Sequence, residues 1–451
     1  MTDTNRRIVI SGAGLAGSLL AVMFAKRGFD VTLYEKRGDM REDDMSAGRS
    51  INLALAARGI RALEHAGVME RVRPLMIAMP GRMLHPLEGE LKYQPYGSKA
   101  NETNYSVSRA ELNKTLMSAA EATGKVRILF NHEVQDVDFS RNAMFVKNTA
   151  TGDAFEDHGL PVFAADGAGS PVRQAMVKRL GIANSEETLD HAYKELNIPA
   201  AADGSWQIEK EALHIWPRGS FMLIALPNLD GSFTCTLFLP REGEPSFASL
   251  NTTKNLRQFF EEKFPSALPL IPDLEKDFFA NPTGMLGTVR CKPWHHEDKA
   301  VLIGDAAHAV VPFHGQGMNA AFEDCVALDT LIERHGDDWK KVFEAYTGQR
   351  KPNGDAIAQM ALENYTEMRD AVRDPAFHLR KQVEFALEER FPGRFIPRYS
   401  MVMFHPEISY AEALSRGAKQ QRILAELTEG AGDIDDVDFD RAGLLLANAG
   451  L

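Results

Sequence analysis

The sequence predicts an α/β fold, and three observations carry the prediction. The stretch RIVISGAGLAGSLLAVMFAKRGFDVTLYEKR, residues 7–37, runs strand, glycine-rich turn, helix, strand. Two later apolar strands each enter an Asp–Gly or Gly–Asp turn, in FAADGAGSPVR at 163–173 and AVLIGDAAHAVVP at 300–312. Residues 181–284 are strand-rich, whereas the chain from 371 onward has helical periodicity. The expected architecture is a Rossmann-like nucleotide-binding domain, a β-sheet domain and a helical C-terminal region.

The first unit reads in order. Ile8–Ile10 is a short β-branched run of the kind buried in a parallel sheet. Gly12, Gly14 and Gly17 form GxGxxG, with Leu15 and Ala16 inside it. The first glycine permits a tight turn, the second lets a pyrophosphate approach the backbone, and the third lets helix pack on strand. Leu19–Phe24 continue a helix that stops near Gly28, and DVTLYE is the next parallel strand, ending at Glu35 before Lys36 and Arg37. An acid about 20 residues after the glycines accepts hydrogen bonds from a ribose diol and disfavours a 2′-phosphate, so the bound nucleotide is expected to be FAD or NAD, not NADP.

The two later turns extend this site. GxGxxG, then Asp166–Gly167, then Gly304–Asp305, each after a strand, resembles the FAD-dependent aromatic hydroxylases. In that family the aspartate of the last turn contacts the ribityl and pyrophosphate region. Gly315, Gly317 and Asn319 open a helix with body AAFEDCVALDTLIER. Free N–H groups and the positive dipole end at such a helix start suit the negative edge of a reduced flavin. Gly317 and Met318 are therefore expected flavin contacts, with Asn319 beside them.

Further stretches resemble the kynurenine-hydroxylating branch of that family: GRSINLALAARG (48–59), PGRMLH (80–85), QPYG (94–97), YKELNIP (193–199), ALHIWPRG (212–219), PFHGQGMN (312–319), ALENYTEMRD (361–370) and RFIPRYSMVMF (394–404). The resemblance implies hydroxylation of L-kynurenine to 3-hydroxykynurenine through a flavin hydroperoxide, with non-covalent FAD, and NADPH and O₂ as co-substrates. It implies carboxylate binding by Arg82, Tyr96 and Tyr399, with Asn364 a further substrate contact and Glu367 and Met368 on the pocket wall. It places Arg49, Ala54 and Arg109 by the flavin, Val134 by the adenine, and Pro312, Phe313 and His314 at the reacting edge. Ala164 stands where the family often has glycine, an added methyl that would tighten a turn. Relatives from eukaryotes carry a C-terminal membrane anchor. Here the longest C-terminal apolar run, residues 442–451, is about half of the roughly 20 residues a span needs, so the resemblance is to the soluble bacterial type.

Composition bounds the rest. At 451 residues the chain is long enough for two or three domains. The expected division is a discontinuous FAD-binding domain (1–75, 100–180, 285–370), a β-rich substrate domain (76–99, 181–284) and a helical region (371–451). A net charge of −12 argues against nucleic-acid or anionic-membrane partners. The acidic run DIDDVDFD at 433–440 reads as a solvated end. Three cysteines, Cys235, Cys291 and Cys325, match no zinc spacing and suit a reducing compartment. The protein is expected to be cytoplasmic, without metal, and a monomer or homodimer. Other readings are a flavin hydroxylase of another aromatic acid, an NADPH oxidase that releases hydrogen peroxide, and a non-catalytic FAD-binding sensor.

Overall fold

The computed structural model describes residues 6–42, 52–97, 99, 101–370 and 375–451; Arg49 and the side chain of Met368 lie outside what it describes. The chain divides into two compact units. Unit 1 comprises residues 1–77, 105–189 and 285–358, and unit 2 comprises 78–104, 190–284 and 359–451.

Unit 1 is built on a six-stranded sheet in the order His295–His296, Ala300–Leu302, Val162–Ala164, Arg7–Ser11, Asp30–Tyr34, Val126–Leu129. All neighbours are parallel except the first pair. The central strand Arg7–Ser11 is followed in sequence by the strand on one side of it, and the chain returns later to the other side. That reversal leaves a crevice beyond the carboxyl end of the central strand, where such sheets bind ligands. The sheet is buried on both faces, so its strands show apolar runs rather than alternation: Val9, Ile10, Phe163, Val301 and Leu302 are all fully buried. Helices Leu15–Lys26 and Gly317–His335 add Leu20, Phe24, Phe322 and Leu328 to the same core. Ala164, the departure from the family pattern, is the last residue of its strand and fully buried; its methyl is absorbed by the sheet, and the turn begins only after it.

Unit 2 holds a second sheet. The strand Phe233–Pro240 pairs antiparallel with residues 191–198 on one side and with Met222–Pro227 on the other. Ala212–Pro217 follows antiparallel, then Gly81–Leu84 parallel, then Lys92–Pro95 antiparallel. Met222–Pro227 and Phe233–Pro240 form the hairpin that the intervening NLDG turn predicts. Both faces of Met222–Pro227 are apolar. Leu223 and Ala225 face a core closed by Leu256, Phe259 and Phe260 of the helix Thr253–Lys263. Ile224 and Leu226, alternating with them, join a separate cluster with Leu213, Met79, Tyr96, Tyr399 and Phe404.

The C-terminal stretch is helical, as its periodicity predicts: Pro375–Arg390, Arg398–Phe404, Tyr410–Leu427 and Phe439–Asn448. The aspartates of the acidic run 433–440 are exposed, as expected of a solvated stretch, but the run is folded. Val437 is buried and Phe439 packs with it on the core of these helices, while Asp433 and Asp438 cap the two short helices that follow them. Capping needs the carboxylates that made the run look like a tail. All three cysteines are free and buried. Among the described residues no helix is long and apolar enough to cross a membrane.

Candidate active site

Four parallel strands of unit 1 end on one edge of the sheet, and the loops after them carry Gly12–Gly17, Glu35, Asp166 and Gly304–Asp305. Gly12 has a φ of 95°, and a Cβ on it would lie 2.5 Å from the Ala165 carbonyl oxygen. A Cβ on Gly17 would lie 2.0 Å from the Gly12 carbonyl oxygen. These two glycines let the helix Leu15–Lys26 sit down on the strand. Gly14 is different, since nothing lies within 4 Å of where its Cβ would be. It starts the helix without a side-chain cap, so the N–H groups of Leu15, Ala16 and Gly17 have no partner within the helix. Helix end and open space together make an anion site.

Glu35 is buried at the end of the next strand. Its carboxylate accepts from Ala13 N–H at 3.0 Å and from the Arg37 N–H at 3.1 Å, which leaves further lone pairs for a diol. Lys36 is exposed, and Arg37 closes an ion pair back onto Glu35 at 2.9 Å. Val134 is buried on the strand His132–Asp138, which starts with a bond from His132 N–H to the Glu35 carbonyl at 2.8 Å.

Asp166 receives a hydrogen bond from Ser11 Oγ at 3.2 Å, but its other carboxyl oxygen is buried without a partner among the described residues. Burial pushes its pKa up. Fully buried Arg173 donates to the Ala306 carbonyl at 2.8 Å and to the Ala168 carbonyl, tying this loop to the next.

The Gly304–Asp305 turn is held from behind by Asp324. One oxygen of this buried carboxylate accepts from Gly304 N–H at 3.0 Å and pairs with His308 Nε2 at 2.6 Å; the other accepts from Arg350 Nε at 2.6 Å. Burial opposes the Asp324 charge, but His308 and Arg350 outweigh it and hold the carboxyl below the usual range. Arg350 also reaches Glu323 at 3.1 Å, and Glu323 pairs with buried Arg58 at 2.8 Å. Asp305 itself stays exposed beyond the turn.

Pro312, Phe313 and His314 form one short helical turn, in which only His314 is buried. The helix Gly317–His335 follows without a side-chain cap, which leaves the N–H groups of Gly317 and Met318 available. Asn319 has its amide fully engaged: it accepts from Ala56 N–H and donates to the carbonyls of Ala54 and Gly315, each at 3.0 Å. What it offers a ligand is its backbone N–H, while its side chain pins Ala54 against the helix start. Arg109 is exposed at the first residue of the helix Arg109–Glu121.

Unit 2 gathers the residues expected at a carboxylate. The Arg82 guanidinium lies 5.0 Å from the Tyr96 ring centroid and 4.8 Å from that of Tyr399. Burial works against its charge, and the two tyrosines more than offset this. No carboxylate pairs with Arg82 among the described residues. Burial pushes the Tyr96 hydroxyl pKa up, as does Tyr399, while Arg82 and Asn104 act in the opposite sense as hydrogen-bond partners. Asn364 lies on the helix Trp339–Asp370, one residue beyond Glu363, whose carboxylate binds Arg398 Nη1 at 2.5 Å. Arg398 precedes Tyr399, so this pair ties two expected substrate segments together. Glu367 turns to Lys381, 3.7 Å away. Residues that sequence reasoning missed are Asp324, Arg350 and Asn104, and the apolar neighbours Leu213, Ile224 and Leu226.

These features fit a flavin dinucleotide. Two uncapped helix starts, an open approach at Gly14 and one unpartnered buried carboxyl oxygen of Asp166 each call for a polar ligand, and an acid stands where a ribose would be held. A model of the FAD binding domain matches residues 5–361. Kynurenine 3-monooxygenase of Myxococcus xanthus is 51% identical over 97% of this chain and 94% of its own length. That of Stenotrophomonas maltophilia is 49% identical over 97% and 96%. Among solved structures, 2-methyl-3-hydroxypyridine-5-carboxylic acid oxygenase superposes with a TM-score of 0.66 at 22% identity over 83% of this chain and 96% of that one. PqsL of Pseudomonas aeruginosa, in complex with 2-aminobenzoylacetate, gives 0.65 at 21% over 81% and 97%. At these identities the structures speak to fold alone. By its FAD-binding domain and by these relatives, the chain belongs to the kynurenine 3-monooxygenase family of FAD-dependent aromatic hydroxylases.

Proposed function

We propose that this enzyme hydroxylates L-kynurenine at the ring carbon beside the amino group, using NADPH and O₂. The observation that carries the reading is Arg82, a half-buried guanidinium beside two tyrosines with no protein carboxylate paired to it among the described residues. A partly desolvated arginine without an acidic partner suits an anionic ligand, and a planar carboxylate matches its fork. Tyr96 and Tyr399 add hydroxyl donors. Leu213, Ile224 and Leu226 supply an apolar wall in the same cluster, suited to an aromatic ring. Asn364, Glu367 and Met368 are assigned to the other side of the substrate.

FAD, when bound, supplies the two-electron chemistry that splits O₂ into a hydroxyl group and water, with NADPH as reductant. On this reading Leu15, Ala16 and Gly17 hold its pyrophosphate, Glu35 its ribose and Val134 its adenine. Asp166 and Asp305 hold its polar middle, and Gly317, Met318 and Ala54 the ring. Arg49 and Arg109 are assigned as further cofactor contacts, and Pro312, Phe313 and His314 as the floor of the reacting edge. The substrate's aniline nitrogen already donates electron density to the adjacent carbon. The protein therefore has to position the ring and exclude water, and needs no nucleophilic side chain.

The test adds NADPH and L-kynurenine to the purified protein under ¹⁸O₂. One labelled oxygen in 3-hydroxykynurenine is the expected result. NADPH consumption that yields hydrogen peroxide and no labelled product would overturn the proposal.

A further inference from the structure

Asn104 opens the strand Asn104–Ser108 and is only 1% exposed. Its side chain has two ends with different surroundings. One end lies near enough to the Tyr96 hydroxyl to lower its pKa as a donor does. The carbonyl oxygen, Oδ1, is buried without a partner among the described residues. A buried acceptor left unpaired costs about 1–3 kcal/mol, so such atoms are retained where a ligand completes them.

We propose that Asn104 is a specificity-determining residue whose side-chain carbonyl receives the α-ammonium group of the substrate. The inference deepens the proposed function and rests on its placement of a substrate carboxylate at Arg82. In an α-amino acid the ammonium and carboxylate share one carbon. A site that fixes the carboxylate by Arg82 and Tyr96 therefore brings the ammonium to the immediate neighbours of those groups, and Asn104 is one. Arg82 and Asn104 both favour the Tyr96 oxygen as an acceptor, which suits a phenol whose own proton is given to the carboxylate. A neutral carbonyl is the suitable acceptor for the ammonium, because it adds no anion to compete with the substrate for Arg82. Glu102, two residues earlier and also buried, accepts from the Lys99 N–H at 3.2 Å with one oxygen, while the other, 3.6 Å from Lys99 Nζ, has no hydrogen bond among the described residues. Its charge is balanced by that lysine, and as an anion it would compete with the substrate carboxylate for Arg82.

The experiment compares two ligands on the FAD-loaded full chain: L-kynurenine, and 4-(2-aminophenyl)-4-oxobutanoic acid, the same molecule without its α-amino group. Binding is read from the perturbation of the flavin absorbance. Wild-type enzyme should prefer kynurenine by about tenfold or more, the factor expected when a buried acceptor loses its donor. Asn104→Leu should weaken kynurenine by about tenfold and the analogue by less than about threefold, so that the preference collapses. Parallel loss of both ligands, or a preference that survives, would overturn the assignment. If Asn104→Leu does not retain FAD, Asn104→Ser is put through the same ratio, with the same two outcomes. Wild-type enzyme that binds neither ligand has a different signature and overturns the proposed function along with this inference.

Discussion

The rings of Tyr96 and Tyr399 lie nearly parallel, with planes 10° apart and centroids separated by 5.8 Å. They come from segments about 300 residues apart in sequence, and Arg82 lies over both. Arg82→Lys keeps the charge but loses the planar fork and its stacking. The expected outcome is a fall of about 100-fold in kcat/KM for kynurenine, most of it in KM, as befits loss of about 2–3 kcal/mol of charged hydrogen bonding. Steady-state kinetics with FAD saturating checks this, and an unchanged KM counts against the assignment of Arg82 to the carboxylate.

Tyr399 sits beside Arg398, whose bond to Glu363 links it to the helix bearing Asn364. Substrate at Tyr399 should therefore be felt along that helix. Tyr399→Phe is expected to abolish most of the stimulation of NADPH oxidation by kynurenine. The measurement is the rate of NADPH loss with and without kynurenine. Normal binding with normal stimulation would remove Tyr399 from any coupling role.

Gly14 and Gly17 are separated by their surroundings. A methyl at Gly17 meets the Gly12 carbonyl at 2.0 Å, whereas one at Gly14 meets no protein atom within 4 Å. Gly17→Ala should lower the stability of the protein itself by several kcal/mol, on the order of a severe overpacking. Gly14→Ala should leave the thermal midpoint of FAD-free protein nearly unchanged yet lower FAD affinity at least about tenfold, since the space it fills is the approach of the pyrophosphate. Thermal unfolding without FAD and flavin retention on gel filtration give the two readouts.

His85 follows the strand that carries Arg82, and its pKa is depressed to about 4 by burial, His214 and Arg218. His214 Nε2–H donates to the Glu209 carbonyl at 2.7 Å, so its Nδ1 must accept from His85 Nε2–H at 2.8 Å, and both rings are neutral. The unfolded chain takes up a proton at the ordinary value near 6.5, while the folded chain resists until about 4. The contribution is thus fully present above 6.5 and is lost as pH falls towards 4, by on the order of 3 kcal/mol. His85→Gln should flatten the fall in stability across that window. Chemical denaturation at pH 7 and pH 5 measures it, and identical slopes for variant and wild type would exclude His85 as the source.

What was legible in the sequence is what is local in it. Strand, Gly12, Gly14, Gly17, helix, strand and Glu35 lie within 30 residues, and each residue type has one geometric reason to be there. The order of the three turns could be read too, because each follows an apolar strand. Asp324 was not legible: its partners Gly304, His308 and Arg350 are 20, 16 and 26 residues away, and nothing within its own helix marks the charge as buried. Leu223 and Ile224 could not be sorted, because a strand that is apolar on both faces has no alternation to show which side meets a ligand. Asn104 gave no signal at all, since its meaning lies in an unpaired atom. In the acidic run the exposure of the aspartates was legible and their capping was not, because capping and solvation call for the same residues.

The Asp324 and Asn319 bonds also set a condition on how the enzyme is made. They join Ala54, Ala56, Gly304, His308, Gly315 and Arg350, and the sheet beneath needs the strand Ala300–Leu302. A ribosome delivers these segments in order, so the GxGxxG loop leaves the exit tunnel long before the parts that complete its receptor. Cofactor loading must wait until residue 350 has emerged, and chains truncated before it should be colourless.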